Sequence, residues 1–257
     1  MEAFFFGDSD RQLYGVFHEA AGSGSHGVVL ANPGPQESMQ THYAYRVLAK
    51  QLTHAGCSVL RFDWTGTGDS AGESDCVSLQ QCRDDLLMAV QELKEISNPR
   101  RTSVIGYRLG ATVAASTPFT QPLENLVLWE PVISGRGYLD ELRARERRKS
   151  GDLLEPPTWW RAHRANDLLG YAMSSEHHAE LETLDLAAQA TPSARRVIII
   201  AGKTGVAVRA LGDSFKERRI DTSYAEFEDG GGAQLRDDGM LLAGVTTARI
   251  AGLFPGV

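Results

Sequence analysis

An arginine lies between two glycines in the segment Gly106-Tyr107-Arg108-Leu109-Gly110. The apolar run Ser103-Val104-Ile105 precedes this segment and the small residues Ala111 to Ser116 follow it, which predicts a strand, a sharp turn and a helix. A guanidinium is protonated at any relevant pH and cannot attack a carbonyl. At a helix N-terminus, where free N–H groups and the helix dipole favour an anion, it is a bidentate donor to a carboxylate or an ester oxygen. The segment therefore predicts an anion-binding site.

Backbone N–H groups near this arginine are the next candidates for substrate binding. Pro33 and Pro35 have no N–H to donate. The remaining donors of that turn are Gly34 and Gln36, and Leu109 offers a further N–H beside Arg108. We expect these three groups to face a substrate oxygen.

Several side chains are further candidates for the same site. They are Glu37, His42, Tyr107, Trp159 and Trp160. For Glu37 and His42 we favour a solvated turn and a helix start over the role of a base. For Tyr107 and the two tryptophans we favour packing, with substrate contact as the alternative.

The elements that must position these residues are short apolar runs separated by segments of helical period. Val77 to Ile96 and residues 42–54 carry apolar side chains three or four residues apart, which predicts helices. The predicted strands are Val28 to Ala31, Cys57 to Phe62, Ser103 to Ile105, Leu126 to Trp129 and Val197 to Ala201. Such runs are typical of strands covered on both faces, and the alternation predicts a doubly wound parallel sheet that binds ligands at its carboxyl edge.

One long segment interrupts this alternation. Residues 134–194 contain no convincing strand, but they hold a basic cluster between Arg143 and Lys149, two tryptophans and a helical pattern through Leu181, Leu184 and Leu186. A segment of this length and apolar content is expected to be ordered and functional. We predict a helical cap over the active-site edge. The basic cluster is interpreted first as a solvated helix face and second as an anion site.

Three motifs in this order resemble the α/β-hydrolase superfamily. They are Leu30-Ala31-Asn32-Pro33-Gly34 at the position of the oxyanion loop, the turn Arg61 to Ser70 with its D-x-x-G-x-G-x-S pattern, and Gly106 to Gly110 in the context of G-x-S-x-G. The resemblance implies an α/β fold with a mostly parallel eight-stranded sheet and helices on both faces. Residues 1–133 and 195–257 would form the core, and residues 134–194 the cap.

Within that superfamily the chain is most similar to a bacterial hydrolase-like subgroup associated with exosortase systems or biosynthetic clusters. The matching stretches are Gly34 to Glu37, Phe62 to Gly72, Gly106 to Ala111 and Leu128 to Val132. That subgroup often lacks serine at the elbow, the turn that displays the nucleophile. The chain is also similar in kind to enzymes of tetronate antibiotic pathways that eliminate acetate to leave an exocyclic alkene.

The resemblance shows where serine-hydrolase chemistry is lost. The superfamily takes its histidine from the loop after the last strand, which we expect at Thr222 to Phe227. Residues 228–233 contain no histidine, and the last histidines of the sequence are His177 and His178. The acid usual after the seventh strand is also absent from Ala201 to Thr204. Loss of the nucleophile alone costs on the order of a million-fold in kcat. Loss of all three members leaves no triad mechanism.

A carboxylate, Glu130, follows the strand Leu126 to Trp129. In this fold the sixth strand neighbours the fifth, so Glu130 is expected beside Arg108. In one interpretation the two residues neutralise each other as a buried ion pair in a vestigial pocket. In the other, which we favour, Arg108 binds developing negative charge while Glu130 orients it or takes a proton.

Three functions follow from these residues. The favoured one is a carbon–oxygen lyase that removes an acyloxy group as a carboxylate. The second is an ester or thioester hydrolase in which Glu130 activates water. The third is a catalytically inactive hydrolase-like protein that acts as a binding partner.

Composition and residue spacing exclude several classes of ligand. The net charge of −7 argues against nucleic acid as the main partner. The N-terminus has no basic region, and Asp8 and Asp10 interrupt its apolar run, so neither a signal peptide nor a membrane span is predicted. The three cysteines have no metal-ligand spacing, and Asp69 after Gly66-x-Gly68 would repel a pyrophosphate. We expect a cytoplasmic protein without metal or cofactor that acts on a small acylated molecule, with a homodimer possible.

Overall fold

A computed structural model describes residues 1–22, 24–74, 77–150, 167–202, 205–226 and 244–254. Eight strands form one sheet in the order β1-β2-β4-β3-β5-β6-β7-β8. The strands are β1 Glu2–Asp8, β2 Arg11–His18, β3 His26–Ala31, β4 Cys57–Phe62, β5 Arg101–Tyr107, β6 Leu123–Trp129, β7 Ala194–Ala201 and β8 Asp221–Glu226. The predicted sheet is confirmed, although β1 and β2 correspond to no predicted strand.

In the sheet order the strands from β4 to β8 are parallel, and β2 runs antiparallel to both of its neighbours, β1 and β4. Alternate residues of β3 enter different cores: Val29 packs on one face, and Val28 and Leu30 on the other. Since both faces are covered, the strand is apolar throughout, as parallel strands generally are. The carboxyl ends of β3, β5 and β6 therefore meet at one edge.

Eight helices lie within the described residues. They are α1 Pro35–His54, α2 Leu79–Ser97, α3 Leu109–Ser116, α4 Gly135–Ser150, α5 Ser175–Thr183, α6 Leu186–Gln189, α7 Val206–Glu217 and α8 Val245–Gly252. Side chains of α1 and α8 belong to one core, and side chains of α2, α3, α4 and α7 to the other. No helix of this described part is long and apolar enough to cross a membrane.

Helix α1 begins earlier than the sequence pattern indicates. The predicted helix over 42–54 starts at Pro35, because proline at a first helical position has a suitable φ and needs no N–H partner there. Gly34 caps this helix, so Gln36 and Glu37 lie in its first turn. The prediction that His42 begins the helix is therefore wrong.

The described part of the segment between β6 and β7 holds helices α4, α5 and α6 and, at residues 167–174, a turn closed by a bridge between Leu168 and Tyr171. Helix α4 packs against α5, and an isolated bridge joins Ser134 to Asp185. Trp159 and Trp160 lie outside the described residues, so their predicted stacking or packing stays a prediction. Helix α4 carries the basic cluster to the carboxyl edge of the sheet.

Candidate functional site

Arg108 occupies a strained turn between β5 and α3. Its φ of 52° and ψ of −120° lie in a region that residues other than glycine rarely adopt. The turn is compact, because a Cβ on Gly106 would lie 2.5 Å from Ala111 Cα and one on Gly110 would overlap the carbonyl oxygens of Ala31 and Asn32. The two glycines allow strand and helix to approach closely, and the residue between them is displayed at the edge of the sheet.

The Arg108 guanidinium belongs to a ring of four alternating charges: Glu37, Arg108, Glu141 and Arg145. Arg108 Nε donates to Glu37 Oε1 at 3.1 Å, and Arg108 Nη2 donates to Glu141 Oε2. Arg145 closes the ring through Nη1 to Glu37 Oε1 at 3.0 Å and Nη2 to Glu141 Oε1 at 2.5 Å. We call these residues the ion-pair ring. It joins the elbow, the first turn of α1 and helix α4.

Tyr138 contacts two members of the ion-pair ring, Glu37 and Arg108. Its hydroxyl donates to Glu37 Oε2 at 3.0 Å, and Arg108 Cζ lies 5.4 Å from the centre of its aromatic ring. Burial raises the Tyr138 pKa well above its ordinary value, and the charge of Glu37 raises it further. The hydroxyl is therefore a neutral donor, and both Glu37 oxygens are bonded.

The neighbouring carboxylates keep Arg108 in its charged form. Burial alone would lower its pKa, but Glu37 and Glu141 outweigh that effect and raise the pKa above its usual range. The residue is thus a permanent cation without a nucleophilic electron pair. Its position can bind an anion, but it cannot form an acyl-enzyme.

Glu130 lies beside Arg108 along the backbone but does not pair with it. Tyr107 and Trp129 are register partners, and Arg108 N–H donates to Trp129 O at 3.0 Å. The Glu130 carboxylate instead accepts the Gly202 N–H at 2.7 Å. The buried Arg108–Glu130 ion pair expected in one interpretation is therefore wrong, because Glu37 and Glu141 bind the guanidinium.

The environment of Glu130 favours proton uptake. Burial raises its pKa, while the Gly202 N–H and the Arg108 charge act in the opposite direction. The backbone φ of Glu130 is 46°, a value that residues other than glycine rarely adopt. A partly buried carboxylate with a raised pKa beside a cation is a candidate general base.

Glu37 is the clearest departure from the sequence interpretation. The favoured solvated turn is wrong, because the residue is only 2% exposed. Glu37 has the right spacing to face the elbow only because α1 begins at Pro35. No local pattern marked it for an ion pair, since its partners lie 71 and 108 positions away.

Four of the other predicted residues lie close to the elbow. Gly34 and Leu109 line a small apolar cavity of about 10 Å³, room for roughly one water molecule, together with His177, which was not among the predicted site residues. Gln36 is buried near Gly34: its Oε1 would lie 3.2 Å from a Cβ added to that glycine. Tyr107 packs against Trp129 with ring centres 4.7 Å apart.

His42 lies elsewhere. It is exposed and lines an open depression of about 490 Å³ whose described lining includes neither Arg108 nor Glu37. His42 is thus not brought to the ion-pair ring.

Sequence reasoning missed Tyr138, Glu141 and Arg145 as site residues. Glu141 and Arg145 are one helical turn apart, a spacing that indicates an ion pair on a helix face. Arg145 was assigned with its basic neighbours to a solvated face. Its side chain is only 21% exposed, and the sequence holds no signal for the elbow it meets.

The D-x-x-G-x-G-x-S turn has a structural role in the described contacts. Thr65 N–H and Oγ1 both donate to the fully buried Asp85, at 2.8 and 3.0 Å. Ser70 Oγ donates to Asp63 O at 2.6 Å and accepts the Tyr14 N–H. These bonds anchor the turn to α2 and β2. Across the ranges that the structure describes, no three His, Cys, Asp or Glu side chains are placed to hold a metal ion.

The strand order and the elbow between β5 and α3 define the α/β-hydrolase fold. More specifically, the chain belongs to the serine aminopeptidase S33 family, whose model matches residues 24–181. No curated protein matches the sequence.

Solved structures agree on the fold. Est1E from Butyrivibrio proteoclasticus, solved with ferulic acid bound, superposes with a TM-score of 0.63 at 13% identity, covering 88% of this chain and 89% of that one. The Pyrococcus furiosus esterase PF2001 gives a TM-score of 0.59 at 18% identity over 88% and 81%. Proline iminopeptidase from Mycobacterium smegmatis gives 0.58 at 16% identity over 88% and 90%. At these identities the likeness establishes the fold and no activity.

Proposed function

We propose that this protein is a serine-independent enzyme of the α/β-hydrolase fold, a carbon–oxygen lyase that releases a carboxylate from a small acylated substrate. The observation that carries the proposal is the elbow, where a guanidinium occupies the strained backbone position of a nucleophile. A permanently protonated guanidinium therefore stands at the carboxyl edge of the sheet. Such a charge stabilises an oxyanion or a leaving carboxylate.

The reaction needs a base and an anion site but no nucleophile. A base removes the proton α to a carbonyl, the bond from the β-carbon to the acyloxy oxygen breaks, and the electron pair leaves on the carboxylate. An alkene remains and no water is consumed. An O-acetylated tetronate or a β-acyloxy carbonyl compound has the required groups.

Glu130 is the base in this proposal and Glu37 is not. Glu37 accepts two guanidinium donors and a phenol, so its electron pairs are committed to positioning Arg108. Glu130 has one described hydrogen bond, from Gly202, and a pKa raised by burial. A carboxylate with a raised pKa is the stronger base.

The experiment is incubation with an O-acetylated tetronate in ¹⁸O-labelled water. Elimination yields acetate and alkene with no label, whereas water activated by Glu130 yields the parent alcohol and labelled acetate, the outcome of the hydrolase alternative. Arg108→Gln and Glu130→Gln should each lower elimination by on the order of 100-fold. Arg143→Gln is the matched control, because that arginine lies on the same helix but bonds Asp140 and His178 rather than the residues of the ion-pair ring.

A second candidate is a binding protein without turnover. The ion-pair ring favours it, since the described bonds of the Arg108 guanidinium are made within the chain. Absence of any product from a panel of acyloxy carbonyl compounds and esters, with tight binding of one of them, would select this candidate. A cytoplasmic location, a small-molecule ligand and a homodimer stay predictions from the sequence.

A further inference from the structure

The two acids of the ion-pair ring are held very differently. The Glu37 side chain is 3% exposed and bonds both arginines and Tyr138. The Glu141 side chain is 37% exposed, and its described bonds are the two to Arg108 and Arg145. Glu37 is therefore a fixed part of the site, and Glu141 closes it from the solvent side.

Glu141 uses its carboxylate as a bridge. One oxygen accepts from Arg108 Nη2 and the other from Arg145 Nη2. A free carboxylate has the same two oxygens at the same separation and can make the same pair of charge-assisted bonds.

The charge of the two arginines favours an anionic ligand over a neutral one. Counted within the ion-pair ring, Glu37 alone leaves one positive charge of the two arginines uncompensated, and one monoanion restores neutrality. The arginine side chains are only 15% and 21% exposed, so water solvates that charge incompletely. An alcohol or an amide of equal size would leave the charge unpaired.

We propose that Arg108 and Arg145 form a carboxylate subsite and that Glu141 occupies it in place of the ligand. The identity of the ligand as the released acyl carboxylate rests on the proposed function, whereas the binding itself does not. Glu141 is then a competitor carried on α4, and a bound carboxylate displaces it without breaking the bonds to Glu37.

The test is the thermal stability of Glu141→Ala in sodium acetate against sodium chloride of equal ionic strength. Acetate should raise the Tm of this variant saturably, with an apparent affinity about tenfold above wild type, because no internal carboxylate competes. Asp140→Ala, which removes an exposed acid from the same helix, should respond like wild type. Arg145→Gln added to Glu141→Ala should abolish the acetate effect.

A second measurement uses the unmodified protein. The signal of ¹³C-acetate should broaden on addition of wild type, and Arg145→Gln should remove the broadening. An equal response of Glu141→Ala to acetate and chloride, or acetate binding that ignores Arg145→Gln, would overturn the subsite. Sodium phosphate is included to show whether the site accepts any oxyanion or a carboxylate in particular; a preference for phosphate would also overturn it.

Turnover is scored separately. Acetate binding without elimination retains the subsite and removes the lyase. Elimination by wild type without Arg145-dependent acetate binding retains the lyase and removes the subsite.

Discussion

Replacing Glu37 with glutamine tests whether the ion-pair ring stabilises the native chain. The substitution preserves size and removes the charge. Glu37 accepts from Arg108 Nε at 3.1 Å, Arg145 Nη1 at 3.0 Å and the Tyr138 hydroxyl at 3.0 Å. A glutamine has one acceptor oxygen instead of two, and its NH₂ group would face donors.

The expected loss is set by the two arginines left behind. Removing one partner of a buried ion pair costs about 3–5 kcal/mol. Because the arginine side chains keep 15% and 21% exposure and Glu141 still pairs with them, we expect the lower end, about 3 kcal/mol. In a chain of this size each kcal/mol shifts the Tm by about 2–4 °C, which gives a decrease of about 6–12 °C.

The assay is urea and thermal unfolding followed by circular dichroism. Glu95→Gln is the control, because that glutamate is exposed and bonds only Gln91 among the described residues; its change should stay within about 0.5 kcal/mol. Adding Arg145→Gln to Glu37→Gln should recover part of the loss, since one unpaired cation is removed. A Glu37→Gln protein as stable as the Glu95→Gln control would refute the ring and restore the solvated-turn interpretation.

Three further predictions follow from other parts of the chain. Arg108→Ser should bring no burst of p-nitrophenyl acetate hydrolysis above wild type, because the sequence after β8 holds no histidine at the position from which this fold activates its serine; an acyl-enzyme burst would contradict this. Burial, then the charge of Arg101, lowers the His26 pKa to about 4, so folding favours the neutral ring. The contribution of the neutral His26 to the free energy of unfolding is complete above pH 6.5 and is lost as the pH falls toward 4, by up to about 1.4 kcal/mol per pH unit. The urea midpoint of unfolding should fall over that pH range, and it should fall less steeply in His26→Gln. Gly110→Ala should cost about 1–3 kcal/mol or more, because its Cβ meets backbone carbonyls; Gly137→Ala, whose Cβ has only ordinary contacts, should show no such loss in the same melt.

Much of the fold could be predicted from local patterns. The runs Cys57 to Phe62 and Leu126 to Trp129 are mostly apolar and require cover on both faces, and α2 has one apolar face. The hairpin of β1 and β2 was missed because three consecutive phenylalanines follow neither period. The start of α1 was missed because Pro33 and Pro35 indicate a turn, although the second of them is the first residue of the helix.

The same distinction between local patterns and tertiary contacts applies to the site residues. The sequence by itself determined that the elbow carries a permanent cation and that no histidine follows residue 178, since residue type decides whether a group can be a nucleophile. It also placed Glu130 beside Arg108, because neighbouring parallel strands end together. Only the tertiary structure decided which acids bind the guanidinium. Glu37 and Glu141 come from helices far apart in the chain, and ion pairs form by distance and burial, which no local spacing encodes.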